Sequence, residues 1–144
     1  NLKAYQQLLF TSMRYGEPRS LDGNSHHAVT PKTAILCVTG IAQPAPYVEH
    51  LKQMTDQIDH ITFPDHHNYS DTDIKRILQE YDKISSTDKC IFTTEKDAVR
   101  LTLCDIPEEI RQQIFYIPIE PEFLTPRDQL IKNIYDYVRQ DTRK

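Results

Sequence analysis

An acid and two adjacent histidines, Asp65, His66 and His67, lie in the segment "TFPDHHNYSDTD", which starts at residue 62. A histidine beside a carboxylate can accept or donate a proton at a substrate hydroxyl, because imidazole changes its charge near neutral pH. Imidazole and carboxylate groups also bind metals, but a metal site usually needs three or more ligands that converge. Neighbouring side chains on an extended segment diverge, so the segment favours proton transfer or orientation of a hydroxyl.

The elements around this segment follow a regular alternation that begins at residue 33. Short apolar runs predict strands, and apolar residues at helical spacing predict the helices between them. The strands are predicted at 33–40, 59–65, 89–94 and 114–120. The helical segments are predicted at 44–57, 70–84, 95–103, 107–113 and 125–140. The fold class is therefore α/β, a three-layer, Rossmann-like lobe with a mostly parallel sheet of about four strands and flanking helices.

Three helices carry recognisable start signals. Ser70 is a good N-cap, and Asp73 occupies the capping-box position three residues later. Thr94 is a plausible N-cap for the next helix, whose first turn is acidic. The last helix is predicted to start at Thr125, with Pro126 at its first position.

Composition limits the domain organisation and the partners. Residues 1–32 are read as an entry segment or linker, because 16–31 is rich in turn formers, and residues 33–144 as an α/β domain. A net charge of −4 without a basic block argues against a nucleic-acid partner. No apolar run is long enough to predict a transmembrane helix, so we expect a soluble fragment.

Unusual polar residues follow each predicted strand and should meet at one edge of the sheet, where open parallel sheets bind ligands. They are Thr39, Gly40 and Gln43 after the first strand; Asp65, His66, His67, Asn68 and Tyr69 after the second; Thr94, Glu95, Lys96, Asp97 and Arg100 after the third; and Glu120 after the fourth. Lys96 and Arg100 are four residues apart, so they could clamp an anion such as phosphate, or they could form a solvated face. Thr39-Gly40 could equally be only a tight turn, and Glu95 and Asp97 could serve only the helix dipole.

Three motifs in register, "VTGIAQPAPYVEHL", "TFPDHHNYSDTDI" and "FTTEKDAVRL", closely resemble the C-terminal part of the tetraacyldisaccharide 4′-kinase family, the lipid A pathway kinases of Gram-negative bacteria. The stretch "FTSMRY" is similar to Bacteroidetes-type members. The resemblance implies a P-loop-kinase-type fold and transfer of the ATP γ-phosphoryl group to the 4′-hydroxyl of an acylated disaccharide 1-phosphate. It also implies ATP and Mg²⁺ as cofactors, and peripheral work at the cytoplasmic face of the inner membrane.

The resemblance assigns the catalytic role to Asp65, His66 and His67, working with an aspartate of the missing N-terminal P-loop half. We favour His66, although the sequence does not choose between the two histidines. The only glycines are Gly16, Gly23 and Gly40, so no G-x-x-x-x-G-K-[ST] phosphate loop can be written. We therefore expect the fragment alone to be inactive and to hold no metal of its own.

A second interpretation belongs to another class. A metal-dependent phosphohydrolase can use an Asp-His-His motif to hold Mn²⁺ or Mg²⁺. Such an enzyme needs further aspartates at the other strand ends, where this chain carries Thr39, Thr94, Glu95 and Glu120, a poor set.

Overall fold

The structure is a computed structural model that describes residues 3, 6, 8–124 and 127–141. Its strands are β1 Thr11–Tyr15, β2 Arg19–Ser20, β3 Ala34–Thr39, β4 Ile58–Thr62, β5 Lys89–Thr94, β6 Ile114–Ile117 and β7 Ile119–Phe123. Its helices are α1 Ala45–Leu51, α2 Asp71–Lys83, α3 Glu95–Leu101, α4 Glu108–Arg111 and α5 Arg127–Asp141. Each predicted helix is present, and the predicted start of the last one at Thr125 and Pro126 lies outside the described residues.

Within the described ranges the main sheet has five strands in the order β2-β6-β5-β3-β4. The four predicted strands run parallel, which confirms the α/β fold class. The short β2 was not predicted, since it lies in a segment interpreted as loop. It pairs antiparallel to β6, with Arg19 opposite Tyr116 and Ser20 opposite Phe115.

The strand order fixes the layers. The chain moves from β3 to β4 in one direction and then through β5 to β6 in the other. Because such crossovers are right-handed, α1 covers one face, and α2 and α3 cover the opposite face. Leu36 and Val38 accordingly share a buried cluster with Ile74 and Ile77 of α2. The direction of winding changes at the carboxyl ends of β3 and β5, where doubly wound sheets form their binding crevice.

Local sequence explains α2. The Ser70 hydroxyl accepts the Asp73 backbone N–H, and the Asp73 carboxylate accepts the Ser70 backbone N–H, so the predicted capping box is confirmed. Ile74, Ile77 and Tyr81 form the buried stripe of the helix. The cap and the stripe together orient the loop that precedes α2.

The predicted strand 114–120 is wrong as one element. Pro118 interrupts it, because proline has no backbone N–H to donate to a ladder. Beyond Pro118 the chain forms β7, which pairs antiparallel to β1 in a separate two-stranded sheet. The chain divides into one compact unit at Gly16–Pro118 and a second that combines β1, β7 and α5.

The exposure of cysteine and apolar side chains varies widely along the chain. Cys37 and Cys90 are buried in the first unit, where burial raises the pKa of each thiol to about 12. The second unit leaves large apolar side chains exposed, including Phe10, Met13 and Tyr137. None of the helices in the described part of the chain combines the length and the apolar character needed to cross a membrane.

Candidate functional site

A buried carboxylate joins the loops at the switch point of the sheet. Asp97 is 0% exposed. Its Oδ2 atom accepts the Gly40 backbone N–H at 2.9 Å and the Thr94 hydroxyl at 2.7 Å. Arg100 Nη1 lies 3.4 Å from Oδ1 of the same group. Asp97 therefore holds the end of β3 against the first turn of α3.

Gly40 is closely packed at this junction, where an added side chain would force its neighbours to shift. A Cβ atom there would lie 3.0 Å from Asp97 Oδ1, 3.2 Å from the Tyr69 hydroxyl and 3.4 Å from His67 Cβ. The loop after β4 thus packs directly on the loop after β3. Burial, and next the negative charge of Asp97, raise the pKa of Tyr69, so its hydroxyl stays neutral.

His67 is held by contacts on several sides. Its Nε2 lies 3.0 Å from Asp73 Oδ2, its ring stacks on Phe63 at 4.7 Å, and its edge meets Tyr69 at 5.2 Å. The Ser70 hydroxyl, then the Ser70 backbone N–H and His67, lower the pKa of Asp73 to about 2. From the sequence, Asp73 was interpreted only as a cap. Asp73 lies six residues after His67, in the first turn of α2, and this spacing is the sequence signal that could have predicted the contact between His67 and Asp73.

His66 adopts a different conformation, with φ +61° and a side chain that is 73% exposed. A positive φ is uncommon outside glycine and concentrates at functional sites. The His66 backbone N–H donates to Asp65 Oδ1 at 2.9 Å, and Nε2 lies 3.6 Å from Asp65 Oδ2. The loop therefore presents the His66 imidazole to solvent and keeps the Asp65 carboxylate beside it.

The two cations that could either clamp one anion or form a solvated face contact different carboxylates. Lys96 Nζ donates to Asp65 Oδ1 at 2.9 Å, whereas Arg100 contacts Asp97. The hydrogen bond from Lys96 is the first cause that lowers the pKa of Asp65. The loop after β4 is thereby linked to α3 by Lys96 as well as by the junction at Gly40.

The other predicted residues lie around this junction with less definite roles. The hydroxyl of buried Thr39 lies 2.8 Å from Nε2 of His60, a neighbour that sequence reasoning missed. Gln43 and Asn68 are exposed, and Glu95 is half-buried.

Glu120 does not follow the fourth strand of the sheet. It lies in β7, where it forms an exposed ion pair with Arg14 of β1. The prediction that placed it at the edge of the main sheet is wrong, because that strand ends at Ile117.

The ligands of the phosphohydrolase alternative do not converge. His67 turns to Asp73, His66 projects outward, and Asp65 accepts Lys96. Across the described ranges, no group of three or more His, Cys, Asp or Glu side chains is arranged to hold a metal ion. The structure therefore offers this alternative no support.

The strand order and the junction at its switch point define a doubly wound α/β lobe. Its fold is similar to that of LpxK from Aquifex aeolicus, crystallised in complex with ATP, with a TM-score of 0.57 and 15% identity over 94% of this chain and 38% of that one. The model of the tetraacyldisaccharide-1-P 4′-kinase family matches residues 3–139, and the chain belongs to this family.

Two curated relatives show how much of a family member is present. The tetraacyldisaccharide 4′-kinase of Bacteroides thetaiotaomicron is 44% identical over 99% of this chain and 41% of its own length. That of Bacteroides fragilis (strain ATCC 25285) is 37% identical over 99% of this chain and 40% of its own length. The chain therefore spans about two-fifths of the length of these relatives.

Proposed function

We propose that this chain is the C-terminal part of a kinase that transfers the γ-phosphoryl group of ATP to the 4′-hydroxyl of a tetra-acylated disaccharide 1-phosphate. The observation that carries the proposal is the family match over residues 3–139. The intact enzyme would use Mg²⁺ and act peripherally at the cytoplasmic face of the inner membrane, where an acylated acceptor resides. Its remaining part would supply the P-loop.

The residues present do not fit a nucleotide site by themselves. A phosphate loop needs glycines that let backbone N–H groups surround the phosphates, followed by a lysine. Gly16 and Gly23 begin no such sequence, and Gly40 is packed against Asp97, Tyr69 and His67. We therefore assign ATP and Mg²⁺ to the part of the enzyme that this chain lacks.

Within this lobe we assign proton handling at the acceptor hydroxyl to His66, beside the Asp65 carboxylate. His66 is exposed and accessible to a substrate, and its Nε2 lies 3.6 Å from Asp65 Oδ2, so the carboxylate can orient the imidazole for proton transfer. His67 is a positioning residue, because its ring is packed between Phe63 and Tyr69 and bonded to Asp73.

Steady-state kinetics of the intact enzyme test these assignments, with the acylated disaccharide 1-phosphate and Mg²⁺-ATP as substrates. His66→Ala should lower kcat by about 10²–10⁴-fold, the scale for a lost acid or base group. His26→Ala is the matched control, since His26 is an exposed histidine in the loop before β3. Unchanged turnover in His66→Ala would remove His66 from the chemistry.

The isolated chain provides a second test. It should neither hydrolyse ATP nor phosphorylate the disaccharide, because phosphoryl transfer depends on a phosphate cradle that it lacks. Magnesium-dependent kinase activity in the purified chain would contradict the proposal.

A further inference from the structure

We propose that Lys96 is a positioning residue for His66 and acts through the carboxylate of Asp65, without contacting the substrate. This inference rests on the proposed function. It concerns a side chain for which the sequence left two roles open, binding of an anion together with Arg100 or a solvated helix face.

One carboxylate oxygen links the lysine to the histidine. Asp65 Oδ1 accepts Lys96 Nζ at 2.9 Å and the His66 backbone N–H at 2.9 Å. The second oxygen, Oδ2, lies 3.6 Å from His66 Nε2. A carboxylate fixed by Lys96 therefore supports both the left-handed backbone of His66 and the position of its ring.

The backbone of Lys96 belongs to a helical turn that is held in place by hydrogen bonds. Lys96 lies in the first turn of α3, next to Asp97, which is 0% exposed and bonded to Gly40 and Thr94. Lys96 and Asp65 are 31 residues apart in sequence, so the pair crosses from α3 to the loop after β4. The anchored turn thus controls where the Asp65 carboxylate is held.

Global stability does not explain this pair. The side chains of Lys96 and Asp65 are 41% and 37% exposed, and ion pairs so accessible to water contribute little to stability. Loss of Lys96 should therefore leave the lobe folded and allow the Asp65 carboxylate to rotate. Catalysis is more sensitive than stability to such a change, because a small misplacement of a reacting group slows the chemical step.

The competing role for Lys96 is direct binding of an anionic substrate group. In that case the ammonium group would leave Asp65 when substrate binds, and its loss would weaken binding. The two roles differ in which kinetic parameter changes. A positioning residue changes kcat, whereas a residue that binds substrate and transition state alike changes KM.

Kinetics of the intact enzyme separate the two roles. Lys96→Met should lower kcat about tenfold, with KM within about twofold of the original value. Lys96→Arg should restore most of the activity, since arginine also donates to a carboxylate. In an Asp65→Asn background, Lys96→Met should have little further effect, because the carboxylate through which Lys96 acts is gone.

Lys52→Met is the matched control, because Lys52 forms an exposed ion pair with Glu49 elsewhere on the surface. It should leave kcat unchanged. A raised KM with normal kcat in Lys96→Met, or losses that multiply in the double variant, would overturn the inference. An inactive parent enzyme would refute the proposed function instead.

A nuclear magnetic resonance experiment on this chain decides the structural link without any activity assay. The His66 amide resonance should shift in Lys96→Met, since its hydrogen-bond acceptor is released. The same substitution should leave that resonance in place when Asp65 is already Asn. An unmoved resonance in the single variant would overturn the inference.

Discussion

Gly40→Ala tests the contact between the two loops most directly. The added Cβ would lie 3.0 Å from Asp97 Oδ1 and 3.2 Å from the Tyr69 hydroxyl, both closer than ordinary van der Waals contact. Overpacking of this kind costs about 1–3 kcal/mol. Replacing glycine by alanine also stabilises the folded state by about 0.4–1 kcal/mol, because alanine lowers the conformational entropy of the unfolded chain. These ranges differ by about 0–2.6 kcal/mol. Because hydrogen bonds from Gly40 and Thr94 hold Asp97 in place, we expect a net loss of about 1–2 kcal/mol in the free energy of unfolding.

Urea denaturation of this chain, followed by far-UV circular dichroism, measures that loss. A loss of this size corresponds to a Tm lower by about 5–15 °C for a domain of roughly 100 residues. Tyr69→Phe removes the hydroxyl that the new methyl group would meet, so Gly40→Ala should cost less in that background. A free energy unchanged by Gly40→Ala would refute the close packing. An equal cost in both backgrounds would refute the part assigned to Tyr69.

Three further outcomes follow from the same contacts. Asp73→Asn should lower the free energy of unfolding at pH 7, as measured in urea titrations. The pKa of Asp73 is about 2 in the folded chain and about 3.9 in the unfolded chain. The loss of stability relative to the parent should therefore be present above about pH 4 and disappear towards pH 2. His66→Gly should leave the unfolding free energy within about 0.5 kcal/mol, whereas His66→Val should lower it by about 1–2 kcal/mol, because a β-branched residue tolerates φ +61° poorly. Cys37 and Cys90 should resist a thiol-disulfide reagent in the native chain and react on unfolding, since their pKa values near 12 leave little thiolate.

The sequence predicted well the features that depend on neighbouring residues. The strand at 89–94, the caps at Ser70 and Thr94 and the parallel arrangement all follow from local spacing and hydrogen-bonding chemistry. The gathering of polar loops around Gly40 followed from one general rule about the carboxyl ends of parallel strands.

Pairings between distant segments were not available to the same reasoning. Strand β2 is only two residues long and depends on a partner far along the chain. The attachment of Lys96 to Asp65, in place of a shared anion with Arg100, requires the relative positions of a loop and a helix. The positive φ of His66 likewise comes from the folded loop, because histidine by itself has only a weak preference for it.

The path of the chain around the first unit has a consequence for its synthesis. The Gly16 N–H donates to the Pro118 carbonyl at 2.8 Å, so this unit begins and ends at adjacent points. In the other unit, Tyr15 pairs with Ile119, so the ladder between β1 and β7 cannot form until β7 has left the ribosome. Because the ribosome adds about 5–20 residues per second, the edge of β1 stays unpaired with β7 for several seconds or more. During that interval chaperones or neighbouring chains compete for this edge. Close termini also make residues 16–118 a natural unit for excision or circular permutation, with no break in the sheet that holds the histidine loop.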